Sequence, residues 1–557
     1  MDLAHVQNVQ DHALAQNHAS TTKKITTAVI DTSTTLAETP TATIISDDAP
    51  PQEQATIYPT GWRFILVTLG IMASVLVVAL DNYIICMYQY DIRKKSPNST
   101  PATAIPRLAT DFHSINLTGW YGSAYFLTIM AFQPAHGQIF TFFSVTLAFL
   151  GSIILFEIGS IISAAAPDPI VFIFGRLICG AAAGGIWCGV LTLVAHVCPP
   201  KKRYLYVSVV TSMYGVASAA GPLLGGGFTA IGFLSFVMII LFLQPPELSE
   251  LGKTLTVKQK LLRIDWLGTF LLITAFTCFF LAAQWGGTTY RWSNSRVWGC
   301  ILGFILQVTA FVYLQVRFQD RAMIPTRALQ NFEALLCLLF QLFISMVIGI
   351  QIYYLPIYFQ SVRGHSAASS GVLTLPYIMT LLLSPMASGA YITTSGHYIP
   401  VMWIGASLAV AGSVLLTTLD ANSTTAQYAG YQVLAALGAG VVQQIPFTAV
   451  PLALPPADVA TASALVSFCN SLGPVIVLTL GNILFTNVLG QKLEEIAGLN
   501  GNITGSKISG LVDLGSLVPP QFLGDVRHAL AVALSRTLLL AIPAAALCKE
   551  DFKQPGL

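Results

Sequence analysis

The stretch GVASAAGPLLGGG, residues 215–227, places five glycines and one proline inside a longer apolar run. A glycine run of this kind either cradles a phosphate or lets two helices approach closely. A phosphate loop needs a preceding strand and a G-x-x-x-x-G-K-[ST] pattern, and the run has no such pattern. In lipid, small residues let helix backbones approach, and Pro222 bends the helix. We therefore predict a packing and bending element of a membrane helix, with a plain helix contact as the alternative.

The composition also indicates a membrane protein. Of the 557 residues, 54% are hydrophobic and 9% are charged, whereas soluble domains carry about 25% charged residues. The net charge of +2 gives no basis for nucleic-acid binding. The nine cysteines and nine histidines are scattered. This scatter predicts no disulfide framework, no metal site and no catalytic constellation, so we expect no enzyme activity.

Fourteen apolar segments approach the length of a membrane-spanning helix, and the sixth is short. They lie at 62–85, 119–137, 145–166, 169–194, 205–226, 228–244, 266–285, 297–316, 333–358, 367–388, 397–418, 429–453, 464–487 and 528–547. With the N-terminus in the cytoplasm, basic residues are more frequent in cytoplasmic loops, as the positive-inside rule expects. The N-x-S/T sequons then fall in the opposite loops and are glycosylation candidates: Asn98, Asn116, Asn422 and Asn502.

An internal repeat relates the early segments to the late ones. At nearly equal offsets, Pro134 matches Pro385, Gly184 matches Gly440, and the Gly-Pro pair at 221–222 matches the pair at 473–474. We predict an all-α integral membrane protein of about fourteen helices, with two six-helix halves and an inserted pair. The predicted domains are a disordered cytoplasmic tail (1–60), an N-terminal half (61–245), a two-helix linker (246–330), a C-terminal half (331–548) and a short tail (549–557).

Several motifs resemble those of the major facilitator superfamily, in particular its fungal fourteen-helix drug:proton antiporters. LDN at Asp81 is similar to the first-helix signature of these antiporters. GRLICGAAAGG resembles the fourth-helix motif, through Arg176, Gly180 and Gly184. The fifth-helix antiporter motif is matched by Gly215, Gly221, Pro222, Gly225 and Gly226. The resemblance implies proton-coupled export of amphipathic small molecules, including drugs, toxins or secondary metabolites, without a cofactor beyond the proton gradient.

Ionisable residues within membrane spans are costly and are therefore functional candidates. Asp81 and Glu157 are the candidate proton carriers, with Arg176 modulating them, because a carboxylate can bind and release a proton as its access to water changes. A static ion pair is the alternative. Five polar or aromatic residues are candidates for the substrate cavity, with helix packing as the alternative: Tyr353, Tyr354, Gln443, Gln444 and Asn470.

Two departures from the family pattern leave other interpretations open. Residues 86–101 form a polar insertion after the first apolar segment, and the block expected before segment 228–244 is missing. Together they suggest a splicing error and a non-functional chain. A non-transporting sensor or receptor on the same fold is a further alternative. We expect a monomer in the lipid bilayer with a small-molecule substrate, in the plasma membrane or, alternatively, the vacuolar membrane.

Overall fold

The computed structural model describes residues 61–87, 118–217, 228–243, 253–286, 290, 292–318, 322–324, 326–455, 458–496 and 520–550. These residues belong to one compact unit, Tyr58–Leu557. The described part is helical and contains no strand, only an isolated bridge between Gly286 and Tyr290.

The described helices follow one another along the chain, some directly and others across undescribed ranges such as 88–117, 218–227 and 497–519. The earlier ones are α1 (Trp62–Met87), α2 (Thr118–Phe142), α3 (Val145–Ala164), α4 (Pro169–Val197), α5 (Arg203–Thr211), α6 (Phe228–Phe242), α7 (Val257–Arg263), α8 (Trp266–Trp285) and α9 (Ser295–Arg317). The later ones are α10 (Thr326–Gln330), α11 (Phe332–Ile357), α12 (Ala367–Leu373), α13 (Leu375–Ser395), α14 (Ile399–Thr417), α15 (Thr425–Gln443), α16 (Ile445–Ala453), α17 (Val459–Glu494), α18 (Leu523–Leu538) and α19 (Ala541–Glu550).

Eleven of the described helical segments are long and apolar enough to cross a membrane. Three of the fourteen predicted spans lie outside this set. Helix α2 has 25 residues but carries Gln133, His136 and Gln138, while α5 and α6 have 9 and 15 residues. The observed architecture is therefore all-helical with eleven candidate spans, and the count of fourteen stays a prediction.

The earlier and later helices form two sets of close packing partners. Helix α4 packs between α2 and α3, and α1 packs against α6. Among the later helices, α11 packs against α17, and α15 packs against α13 and α14. The two sets meet where α2 and α4 contact α17 and where α5 contacts α13 and α16. Helices α8 and α9 pack on each other, and α8 leans mainly on α2.

Gly184 and Gly440, which the predicted repeat pairs, make matching helix contacts. A Cβ on Gly184 of α4 would lie 2.8 Å from the carbonyl oxygen of Ile129 on α2. A Cβ on Gly440 of α15 would lie 2.1 Å from Oγ of Ser384 on α13. Each glycine lets its helix approach a neighbour more closely than any side chain would allow.

Gly137 and Gly389 form a second matching pair, at the contact between the two sets of helices. A Cβ on Gly137 of α2 would lie 2.6 Å from Cβ of Ala464 on α17. A Cβ on Gly389 of α13 would lie 2.9 Å from the carbonyl oxygen of Tyr204 on α5. The end of α2 therefore meets the start of α17, as the end of α13 meets the start of α5.

Several predicted features lie outside the described residues. These are most of the insertion at 86–101, both predicted terminal tails apart from 549–550, the sequons at Asn98, Asn116 and Asn502, and four motif residues, Gly221, Pro222, Gly225 and Gly226. Gly215 is described, and a Cβ on it would lie 2.4 Å from Cδ1 of Leu382 on α13. The fourth sequon residue, Asn422, is exposed in the turn between α14 and α15.

Candidate functional site

Asp81 of α1 and Arg176 of α4 form a buried ion pair. Nη1 of Arg176 donates a hydrogen bond to Oδ2 of Asp81 at 2.5 Å. The Arg176 side chain is 2% exposed and the Asp81 side chain is 10% exposed. The guanidinium carbon lies 4.3 Å from the ring centroid of Tyr125 on α2, a cation–π distance. Gly180 allows this approach, because a Cβ there would lie 2.3 Å from the Tyr125 carbonyl oxygen. Three helices thus converge on one ion pair.

Glu157 of α3 places its carboxylate against α6. Both carboxylate oxygens are shielded from water, and neither has a hydrogen-bond partner within the described part of the chain. Gly232 of α6 provides the space, because a Cβ there would lie 1.8 Å from Oε1 of Glu157. Asp81 is near enough to interact electrostatically with Glu157. The three predicted charge candidates, Asp81, Glu157 and Arg176, are therefore neighbours.

The tyrosines predicted for the substrate cavity occupy different environments. Tyr354 is 1% exposed and contacts Gly481 and Phe485 of α17. Tyr353 is 52% exposed, and its ring centroid lies 5.0 Å from that of Tyr354. Tyr354 thus packs within the helix bundle, whereas Tyr353 points to its surface.

The three polar cavity candidates also differ in their partners. Asn470 of α17 accepts a hydrogen bond from Nε2 of Gln341 on α11 at 2.9 Å. Gln443 is half-buried at the end of α15. Gln444 is buried, and neither its Oε1 nor Oγ1 of Thr448 has a hydrogen-bond partner among the described residues. Gln444 and Thr448 are four residues apart at the start of α16, which places them on the same side of the helix.

Gln133 of α2 is a candidate that the sequence prediction missed. It is fully buried, and neither atom of its amide has a partner in the described ranges. It lies beside α4, where its Cγ would be 3.5 Å from a Cβ on Gly184. A polar residue directly before Pro134 within an apolar segment was the available signal. Within the described residues there is no group of three His, Cys, Asp or Glu side chains that could hold a metal ion.

A second buried glutamine, Gln351 of α11, is fully paired. The hydroxyl of Tyr377 on α13 donates to its Oε1 at 2.9 Å, and its Nε2 donates to Oγ of Ser413 on α14 at 2.9 Å. This network ties three helices together. Because both ends of the amide are satisfied, it is suited to a structural role.

An aromatic cluster lies between the two sets of helices. Trp187 of α4 makes edge contacts with Tyr214, at 5.5 Å between ring centroids, and with Phe447 of α16, at 6.3 Å. Aromatic rings offer a flat apolar surface with a polar edge. The cluster is therefore suited to contact a planar apolar molecule.

Polar contacts also join the two sets at the helix ends that we predict to be cytoplasmic. Oγ1 of Thr141 on α2 lies 3.4 Å from Oγ1 of Thr461 on α17. The Cys188 thiol of α4 lies 3.8 Å from the carbonyl oxygen of Ala460. On the predicted topology, these contacts close the bundle toward the cytoplasm.

A tyrosine pair extends this closed end. The rings of Tyr204 and Tyr398 stack with centroids 6.3 Å apart. The Tyr398 hydroxyl donates to Oε1 of Glu333 at the start of α11, at 2.9 Å. Tyr204 belongs to the earlier set of helices, whereas Tyr398 and Glu333 belong to the later set. The stacked rings therefore join the two sets.

Comparison with known proteins adds independent evidence. The Major Facilitator Superfamily matches residues 96–478. The MFS-type efflux pump MFS1 of Arthroderma benhamiae is 36% identical over 502 residues, covering 88% of this chain and 90% of the relative. The efflux pump roqT of Penicillium rubens is 31% identical over 521 residues, covering 90% and 93%.

A solved structure shares the fold. The human organic anion transporter MFSD10 (TETRAN) is similar with a TM-score of 0.51 and 14% identity, covering 86% of this chain and 98% of that one. Identity this low supports the fold alone. The family match and the relatives confirm the predicted family, and with its apolar helices the chain is an integral membrane transporter, not an enzyme, that belongs to the Major Facilitator Superfamily.

Proposed function

We propose that this transporter exports amphipathic small molecules, such as drugs, toxins or secondary metabolites, and couples their export to inward proton movement. The efflux-pump names of relatives that cover about nine-tenths of the chain support export. The observation that carries the proton coupling is the buried carboxylate of Glu157, which has no described partner and lies beside the Asp81–Arg176 pair.

The charges at this site make Glu157 the better proton carrier. Arg176 already neutralises Asp81, so an ionised Glu157 would be left as an uncompensated charge in an apolar environment. Such a charge is costly, and binding a proton removes the cost. A change in helix packing that admits water to Glu157 would then release the proton. The direction of release depends on which side of the membrane is open.

The substrate would bind between two six-helix halves that alternate in access. Two pairs of equivalent helix contacts support this arrangement of two related halves. The contact at Gly184 corresponds to that at Gly440, and the contact at Gly137 corresponds to that at Gly389. Gln133, Gln444 and the Trp187 cluster provide unpaired polar groups and aromatic rings for an amphipathic ligand. We place the transporter in the plasma membrane as a monomer.

The test is transport by the purified protein in vesicles with an imposed proton gradient. A fluorescent amphipathic dye should move against its own gradient, and a proton uncoupler should abolish that movement. Glu157→Gln should abolish the gradient dependence while leaving dye binding intact. Glu495→Gln is the matched control, because Glu495 pairs with Lys492 in an exposed position and removing it should change nothing.

Asp81 is tested separately because removing it leaves Arg176 buried and unpaired. The double variant Asp81→Asn with Arg176→Gln removes both charges and avoids that penalty. If Glu157→Gln retains coupling while the double variant loses it, Asp81 carries the proton instead. If dye transport is unchanged by the uncoupler and by these variants, transport is not coupled to protons.

A further inference from the structure

Helix α7, just before the inserted pair α8–α9, is a folded element rather than a loop. Thr256 caps it: its side chain accepts from the Gln259 backbone, and the Gln259 side chain accepts from the Thr256 backbone N–H at 3.0 Å. The indole Nε1 of Trp266 donates to the Leu261 carbonyl at 2.9 Å. With seven residues, α7 is too short to cross a membrane.

Helix α7 exposes large apolar side chains next to polar ones. Of its three cations, Lys258 is exposed, Arg263 is half-buried and Lys260 is buried, with Nζ 5.4 Å from the ring centroid of Phe143. Its apolar side chains point outward, with Val257 64% exposed and Leu262 68% exposed. Large apolar side chains exposed beside cations are typical of a helix that lies in the membrane interface.

Hydrogen bonds hold the end of α9 beside the start of α8. Nε2 of Gln315 donates to Oδ2 of Asp265 at 2.7 Å, and the Asp265 backbone N–H donates to Oε1 of Gln138 on α2 at 2.8 Å. Arg317 therefore lies near α7. Only 11% of the most apolar stretch of α9 is buried, so the surface next to Arg317 continues into the lipid-facing side of the pair.

Three cations surround the exposed apolar side chains. Lys258 and Arg317 are exposed and Arg263 is half-buried, and none of the three forms an ion pair within the described ranges. The nearby Asp265 carboxylate is engaged by Gln315 and by the backbone of Gly268. We call this surface the basic–apolar patch, comprising Val257, Lys258, Leu261, Leu262, Arg263, Trp266 and Arg317.

We propose that the basic–apolar patch binds acidic phospholipid headgroups of the bilayer leaflet in which α7 lies. The apolar side chains enter the acyl boundary, and the three cations meet the negative headgroups at the depth of Trp266, a residue type typical of that interface. Charge complementarity favours this occupant, and the continuous lipid-facing surface of α8 and α9 places the patch at the membrane. The cytoplasmic side, which the topology predicts for α7, is the side rich in anionic lipid.

The experiment uses the full chain in phosphatidylcholine nanodiscs with or without phosphatidylserine. Native mass spectrometry counts the retained phosphatidylserine, and a thermal unfolding scan gives the rise in Tm that it causes. Lys258→Gln with Arg263→Gln should weaken phosphatidylserine retention roughly thirty-fold and remove the rise in Tm. Lys201→Gln with Lys202→Gln removes the same charge from a different turn on the same predicted side and should retain both effects.

These readouts do not depend on transport, so they test the patch even if the chain exports nothing. Equal losses in both double variants would overturn the proposal, because they would show general charge attraction. A wild-type protein that retains no phosphatidylserine and shows no rise in Tm with it would also overturn the proposal. A dimer in the nanodisc that dissociates in the Lys258 and Arg263 double variant would overturn it as well. In that case a second copy of the chain, not lipid, would occupy the patch.

Discussion

At the residue scale, Gly232 controls the position of the Glu157 carboxylate. A Cβ at Gly232 would lie 1.8 Å from Oε1 of Glu157, so Gly232→Ala must displace that side chain. We expect the variant to lose the proton-gradient dependence of transport as Glu157→Gln does, although Glu157 itself is unchanged. Vesicle transport with and without the uncoupler measures this loss.

Gly151 provides the matched control on α3. A Cβ there meets no atom of the described part of the chain within 4 Å, and alanine favours a helix over glycine by up to about 1 kcal/mol. Gly151→Ala should therefore keep full coupling with unchanged or slightly raised thermal stability. If Gly232→Ala behaves like Gly151→Ala, the contact with Glu157 has no part in coupling.

Gln133 and Gln351, both buried, should respond in opposite ways to the same change. Gln133→Leu removes two polar atoms that have no partner among the described residues, so stability should stay equal or rise by about 1–3 kcal/mol. Gln351→Leu removes the acceptor of the Tyr377 hydroxyl, while Ser413 keeps its bond to the Ala409 carbonyl oxygen, so stability should fall by a similar amount. Thermal unfolding in detergent measures both.

Transport then separates the roles of the two glutamines. If Gln133 binds substrate, Gln133→Leu should lower export of dyes that carry hydrogen-bonding groups more than export of apolar dyes. Gln351→Leu should lower export of both classes equally, through stability alone. A Gln133→Leu protein with unchanged selectivity would remove Gln133 from the proposed cavity.

At the element scale, the close contacts at Gly184 and Gly440 predict equivalent sensitivity in the two sets of helices. Gly184→Leu and Gly440→Leu should each force apart a helix pair, α2–α4 or α13–α15, and strongly reduce the yield of folded protein. Gly299→Leu on α9 should be tolerated, because a Cβ there lies more than 4 Å from every described neighbouring atom. Size-exclusion profiles of the three variants compare their folding. Tolerance of leucine at Gly184 or Gly440 would contradict the described packing.

Helix boundaries were predictable where a run of apolar residues ends sharply in polar ones. The predicted segment 266–285 coincides with α8, and 145–166 extends two residues beyond α3. The predicted segment 429–453 instead contains a break between α15 and α16, next to Pro446. Hydropathy could not show this break, because both sides of it are apolar and a proline can either bend or interrupt a helix.

The charged residues of the candidate site were predictable from the sequence, but which of them form an ion pair was not. Asp81, Glu157 and Arg176 stood out because charges are rare in apolar segments. Which carboxylate meets Arg176 depends on how α1, α3 and α4 pack, and no local pattern encodes that. Gly232 carries no charge, so its importance follows only from the atoms that face it in the structure, whereas the signal for Gln133 was a polar residue beside Pro134 in an apolar segment.

At the scale of the whole molecule, the contact between Thr141 and Thr461 gives a direct test of alternating access. Their hydroxyl oxygens lie 3.4 Å apart, so the two side chains are in contact and suit a test by paired cysteines. Thr141→Cys with Thr461→Cys should form a disulfide on oxidation and block transport, and a reductant should restore it. Transport assays before and after reduction measure the effect.

Two native thiols bear on this cross-link. Cys188 contacts the Ala460 carbonyl, so a Cys188→Ala background prevents it from competing. Burial raises the pKa of the Cys198 thiol to about 11, so it should react slowly at neutral pH. Each single cysteine variant in this background should remain active. Undiminished transport by a fully cross-linked protein would show that this end of the bundle need not open.

The hydrogen bond from Asp265 to Gln138 fixes α8 to α2, and α8 leans mainly on that helix. When α2 and α17 separate during a transport cycle, the inserted pair must travel with α2. Its lipid-facing side then moves through the bilayer together with α2. Moving the pair displaces the surrounding lipid, which costs free energy. Membrane stiffness and lateral pressure should therefore set part of the turnover rate.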